Sequence, residues 1–160
     1  MTETTAALLG VVVGFVMNEA ATFFRTRREE RQRSQGVRTL IRIELDQNLG
    51  GLTNLDQRIQ AEEGRDATTP GHLHLPAFLA RMSLPAWSHT LWESQLPDVA
   101  RALRPEALRK THEFHRDLDN LSEMIVAIRD NPNQVGYRKE LYDKCVGLIR
   151  SLLERGNPAG

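Results

Sequence analysis

Ala6-Ala7-Leu8-Leu9-Gly10-Val11-Val12-Val13-Gly14-Phe15-Val16-Met17-Asn18-Glu19-Ala20-Ala21-Thr22-Phe23-Phe24 is the stretch on which the reading of this chain turns. Its centre is apolar, and its nineteen residues as helix rise about 28 Å, close to the hydrocarbon thickness of a bilayer. Asn18 and Glu19 interrupt the run before Ala20, Ala21, Phe23 and Phe24 resume it. A charge inside lipid is costly unless it faces protein or water, so Glu19 makes this either a marginal lone span or a span built for company. Gly10 and Gly14 fit the second option, because small residues four apart let helix backbones approach closely. The same residues also fit a surface-lying amphipathic helix or the first core helix of a soluble bundle. A signal peptide fits less well, since its positive region should precede the apolar segment and here only Glu3 does.

Arg25, Arg27, Arg28, Arg31 and Arg33 follow at once. Basic residues just past a span contact anionic headgroups and, by the positive-inside rule, hold the following body in the cytoplasm. The expected topology is single-pass in an inner or plasma membrane, with a short outer N-terminus over residues 1–5 and a span over 6–24. Residues 25–36 form a juxtamembrane linker or continuous helix, 37–156 a cytoplasmic bundle and 157–160 a tail. Among 160 residues, 21 basic and 21 acidic side chains cancel, so no global field argues for a nucleic-acid partner. Cys145 is the single cysteine, excludes an intrachain disulfide and reads as a small buried hydrophobe.

Beyond the arginines, apolar residues recur at helical spacing. Val37, Ile41, Leu45, Leu49 or Leu52, Leu55 and Ile59 form one stripe, bordered by Asn48 and Asn54. Ser34-Gln35-Gly36 is the expected bend and Gly50-Gly51 the weak point, with the helix finishing near Glu63 before Gly64. Residues 65–76 read as a loop containing His72-Leu73-His74, half of a metal site that nothing completes. A short helix is expected over Ala77 to Met82, then Ser83-Leu84-Pro85 as a cap. Trp87, Leu91 and Leu96 continue an apolar face, with Trp87 and Trp92 as core anchors. Pro105 opens a stronger helix with Leu108, Thr111, Phe114 or His115, Leu118, Leu121, Ile125 and Ile128 inward, ending at Asn131-Pro132. The last helix spans Val135 to Glu154 with Leu141, Cys145, Leu148, Ile149 and Leu152 inward. The fold class is therefore all-α: one N-terminal transmembrane helix, then an antiparallel bundle of about four major helices with a short broken segment between the first cytoplasmic helix and the third.

The main polar constellation is Arg109-Lys110-Thr111-His112-Glu113-Phe114-His115. Arginine can hold a phosphate and histidine can move a proton near neutral pH, which suits RNA cleavage. The plainer reading pairs Arg109 with Glu106 or Glu113 and sets His112 or His115 at the edge of the apolar stripe. Arg109 and His115 resemble the arginine, short gap and histidine of HEPN ribonuclease domains, with Lys110 where that family usually has Asn, Asp or His. The wider arrangement is similar to small CRISPR-associated membrane accessory proteins. That resemblance implies a cytoplasm-facing helical homo-oligomer that opens a membrane pore in antiviral defence.

No phosphate-cradling glycine loop, zincin pair or serine elbow occurs, which weighs against an enzyme. A di-metal bundle site wants Glu-x-x-His, and although Glu44, Glu113 and Glu140 are available that spacing is absent. Neither a metal nor an organic cofactor is expected. The leading function is a homo-oligomeric single-pass protein, with Glu19 lining a cation-permeable pore if the oligomer is a ring. The alternatives are a membrane-tethered adaptor for a cytoplasmic protein partner and a membrane-bound HEPN-like ribonuclease.

Overall fold

The computed structural model describes the backbone of residues 3–66, 74–82 and 86–159, and the side chains of these except at 3–12, 66 and 74. The described residues form six helices and no strand: α1 (Glu3–Asp66), α2 (His74–Arg81), α3 (Thr90–Ser94), α4 (Leu96–Ala102), α5 (Pro105–Asp130) and α6 (Val135–Arg155). The all-α class expected from the stripes is thus present. Three long helices and three short ones replace the four major helices expected.

Helix α1 organises the molecule. Its 64 residues rise about 96 Å at the usual helical pitch, far beyond the length of the bundle it joins. The bend expected at Ser34-Gln35-Gly36 does not interrupt it, and it ends at Asp66 rather than near Glu63. The reason is local chemistry. No proline occurs within α1, and a single glycine costs about 1 kcal/mol against alanine, too little to break a helix whose stripe is buried. A methyl group added at Gly36 or Gly50 would meet no atom within 4 Å, so neither glycine serves a close helix approach.

The two halves of α1 differ. From residue 37 onward, Val37, Ile41, Leu45, Leu52, Leu55 and Ile59 are buried as the stripe predicts, with Leu49 partly so. From Val13 to Arg33 every side chain is exposed, including Phe15, Val16, Met17, Phe23 and Phe24. Among the described residues no helix is long and apolar enough to cross a membrane. The part of the opening run whose side chains are described, Val13 to Phe24, is twelve residues and rises about 18 Å. The side chains of Ala6 to Val12, including Gly10, lie outside the described residues.

Helices α5 and α6 form a hairpin closed by residues 131–134, with Arg155 on α6 paired to Asp117 on α5 at 2.7 Å. Pro105 opens α5 where its missing N–H costs nothing, and Gly156, at φ 63°, ends α6 by donating its N–H to the carbonyls of Leu152 and Leu153. Helix α6 runs antiparallel to α1: Tyr142 reaches Glu63, Arg150 reaches Asp56 and Glu63, and Asn157 reaches Asp46. Both packed pairs of long helices, α5 with α6 and α6 with α1, are thus antiparallel, and α5 runs in the same sense as α1. Asn157 also donates to the Arg42 carbonyl, so the expected tail begins with a docked residue.

The segment between α1 and α5 departs most from expectation. Helix α2 starts at His74, not Ala77, and takes Pro76 into its first turn, where proline is tolerated. The cap expected at Ser83-Leu84-Pro85 lies outside the described residues. Residues 86–89 are not helical, so Trp87 does not share a helix with Leu91, and Leu96 belongs to α4.

Candidate functional site

Two polar residues on the buried stripe of α1 explain why residues 86–89 leave the helix. The Asn48 side chain accepts a hydrogen bond from the Ser88 backbone N–H at 2.8 Å and donates to the Ser88 carbonyl at 2.9 Å. That amide replaces the helical partners of Ser88 on both sides. One turn earlier, Glu44 Oε2 accepts from the Leu91 N–H at 2.8 Å and from the Ser88 hydroxyl at 3.2 Å. Leu91 lies in the first turn of α3, whose own preceding residue, His89, supplies no side-chain cap, so Glu44 caps α3 from another helix. Trp87 completes the strap by donating its indole N–H to Ser122 Oγ on α5 at 2.8 Å.

Beneath the strap sits a group of three imidazoles and one indole. Trp92 stacks on His112 and His115, at ring separations of 5.8 and 5.2 Å and interplanar angles of 26° and 24°. His89 lies 5.0 Å from His115 and points its Nε2 at Asp119, 3.5 Å away. His115 and Glu44 are each 2 % exposed, and His115 Nε2 stands 3.7 Å from Glu44 Oε1. Neither of those atoms has a hydrogen-bond partner among the described residues, and nor has His115 Nδ1. Burial pushes the His115 imidazolium down to a pKa of about 4, helped by repulsion from His89 and His112. The ring is neutral at pH 7 and serves as a packed polar core residue.

Arg109 and His115 do not share a cleft. Arg109 reaches outward to Glu113 at 2.6 Å, and Lys110 pairs with Glu106 at 2.8 Å. Arg109 lines a shallow cavity of about 330 Å³ with Lys110, Glu113, Phe114, Arg155 and the residues just after α6. His115 is outside that cavity and turned into the core. Six residues at 100° each leave two positions about 120° apart around a helix, so a single face does not hold both. In this conformation His115 cannot meet an RNA phosphate.

Around α1, Asn18 and Glu19 are exposed, and the Asn18 carbonyl accepts from Thr22 Oγ1. At Gly14 an added methyl would meet nothing within 4 Å, so space remains there for a neighbouring helix. Arg27 lies over the Phe23 ring at 4.9 Å. Arg33, also among the residues expected at the headgroups, is exposed and reaches Asp98 on α4 at 2.7 Å. Arg25, Arg28 and Arg31 are exposed.

Cys145 is fully buried, and burial pushes its thiol up to about 12, as suits a small core hydrophobe. The His72-Leu73-His74 pair lies outside the residues whose side chains are described. Among those that are described, no three His, Cys, Asp or Glu residues are grouped to hold a metal ion. Sequence reading missed Glu44, Asn48, Ser88, His89 and Trp92 as one unit. The available signal was Glu44 and Asn48, a turn apart and on the stripe between Ile41 and Leu52. No protein-family model, curated protein or solved structure matches this chain.

Proposed function

We propose that this chain is a single-pass membrane protein that assembles as a homo-oligomer, with α1 passing from the bilayer as a stalk into the helical bundle. The observation that carries this reading is the exposed apolar surface of α1. Phe15, Val16, Met17, Phe23 and Phe24 are more than half exposed, on a part of α1 that no other described residue covers. Leaving large apolar side chains in water forgoes about 1.5–3 kcal/mol apiece, which favours lipid or a second copy around them. The sequence of residues 6–12 extends that surface to the length of a span, and the arginines set the body on the cytoplasmic side.

In a ring of such helices, Gly10 and Gly14 would allow close neighbours, and Asn18 with Glu19 would line a water-filled passage favouring cations. The resemblance to CRISPR-associated membrane accessory proteins supplies the setting, antiviral defence. Purified protein in liposomes tests the pore. Ionic conductance that loses cation preference in Glu19→Gln supports it, and no conductance with wild-type protein removes it.

A membrane-tethered adaptor is the second reading, favoured by Leu40 and Ile43. They lie three residues apart on α1 within the bundle region, yet are 44 % and 48 % exposed. That exposed pair suits the apolar face of a partner helix. The outward Arg109 and the buried His115 speak against the ribonuclease reading.

A further inference from the structure

Where α1 enters the bundle, it and α4 enclose an open groove of about 850 Å³. Five guanidinium groups line it, from Arg27, Arg31, Arg33 and Arg38 on α1 and Arg101 on α4. The only carboxylates in the lining are those of Glu30 and Asp98. Asp98 already serves two cations, Arg33 at 2.7 Å and Arg101 at 3.8 Å. Arg38 donates to the Ala102 carbonyl, a neutral acceptor that leaves its charge uncompensated. Arg27 rests on Phe23. Arg31 has no ion pair among the described residues. Like charges are gathered in a concavity without the anions to balance them, which is the arrangement of an anion site.

The placement is selective. Positions 27, 31, 34 and 38 fall on one face of a helix, whereas Arg25 and Arg28, from the same basic run, do not line the groove. A basic flank serving only diffuse attraction to a charged surface has no need of such sorting.

We propose that this groove binds a phosphate ester carrying at least two negative charges, held by Arg31, Arg38 and Arg101 in charge-assisted hydrogen bonds. Its position within a few turns of Phe24 suits a lipid headgroup, and that source rests on the membrane reading above. A free phosphate compound has the same chemistry.

The test uses the full-length chain in neutral detergent micelles, titrated with inorganic pyrophosphate and separately with phosphatidic acid doped into the micelles. Arg31→Gln with Arg101→Gln is compared with Arg25→Gln with Arg28→Gln, which removes the same charge from the same region. The groove pair weakens binding at least about tenfold, and the comparison pair by less than about twofold. Both groove residues are exposed, so folding, checked by circular dichroism, is unchanged. Equal losses in the two pairs would show diffuse attraction only and overturn the site, as would no binding of either probe by wild-type protein. Binding of phosphatidic acid but not pyrophosphate supports the site and assigns it to lipid. Binding of both supports it and assigns the phosphate group alone. Resistance of wild-type protein to alkaline carbonate extraction reports on the membrane reading separately, so the two ideas can fail independently.

Discussion

His115 Nε2 stands 3.7 Å from Glu44 Oε1 in the core, and neither atom has a hydrogen-bond partner among the described residues. Burial disfavours a charged ring, and repulsion from His89 and His112 adds to it, so the His115 pKa falls to about 4. An unfolded histidine titrates near 6.5, so below that pH the unfolded chain binds a proton that the folded chain refuses. The stability contributed by neutral His115 is fully present above pH 6.5 and is lost as pH falls toward 4. Between pH 7 and pH 5 the loss attributable to this residue is about 2 kcal/mol. Urea unfolding of wild type and His115→Phe at both pH values checks it. The variant should lose less over that interval by about that amount, and parallel losses would contradict the assignment.

Glu44 and Asn48 hold the same strap and should not act independently. Glu44→Ala leaves the Leu91 N–H and Ser88 without their acceptor and empties a buried site, at a cost of about 2–4 kcal/mol. Asn48→Ala frees both backbone groups of Ser88, at about 2 kcal/mol. The double variant should lose clearly less than the two added together, since either change alone releases residues 88–91. Strict additivity in denaturant unfolding would mean the strap is held elsewhere.

Arg109 and His115 should separate in the opposite sense from a catalytic pair. Arg109→Ala breaks an exposed i,i+4 ion pair and costs less than about 0.5 kcal/mol. His115→Ala opens a cavity beside Trp92 and Glu44 and costs about 2 kcal/mol or more. RNA cleavage lost equally in both variants, with folding intact, would revive the ribonuclease reading.

Cys145 should be inert in the native state. Buried, with its thiol pushed up to about 12, it reacts with a thiol reagent only when the helical hairpin opens. Labelling should follow global unfolding across a urea series. Rapid modification in native buffer would place α6 differently.

The fold was largely legible because its signals are periodic and its boundaries chemical. The stripe from Val37 to Ile59 and Pro105 at the head of α5 each act locally, and each appears where the pattern put it. Gly36 and Gly50 misled because a glycine weakens a helix without ending one, and tertiary burial of the stripe outweighed it. Gly36→Ala and Gly50→Ala should each stabilise the protein by up to about 1 kcal/mol, since each new methyl meets open space. The polar site was hidden for a different reason. Glu44 and Asn48 take their role from Ser88 and Leu91, some forty residues away, and helical periodicity carries no information about such a partner. Arg109, His112 and His115, three apart in turn, read as one broad helical face, but two such steps carry Arg109 and His115 about 120° apart, one outward and one into the core.

The exposed apolar part of α1 is proposed as an anchoring and assembly surface. Direct imaging of the full-length protein in lipid nanodiscs addresses it in one step. A closed oligomer is expected, its α1 helices side by side within the bilayer with Gly10 and Gly14 at their contacts. A monomer recovered from detergent-free aqueous buffer, with Phe15, Val16 and Met17 still facing solvent, would contradict it.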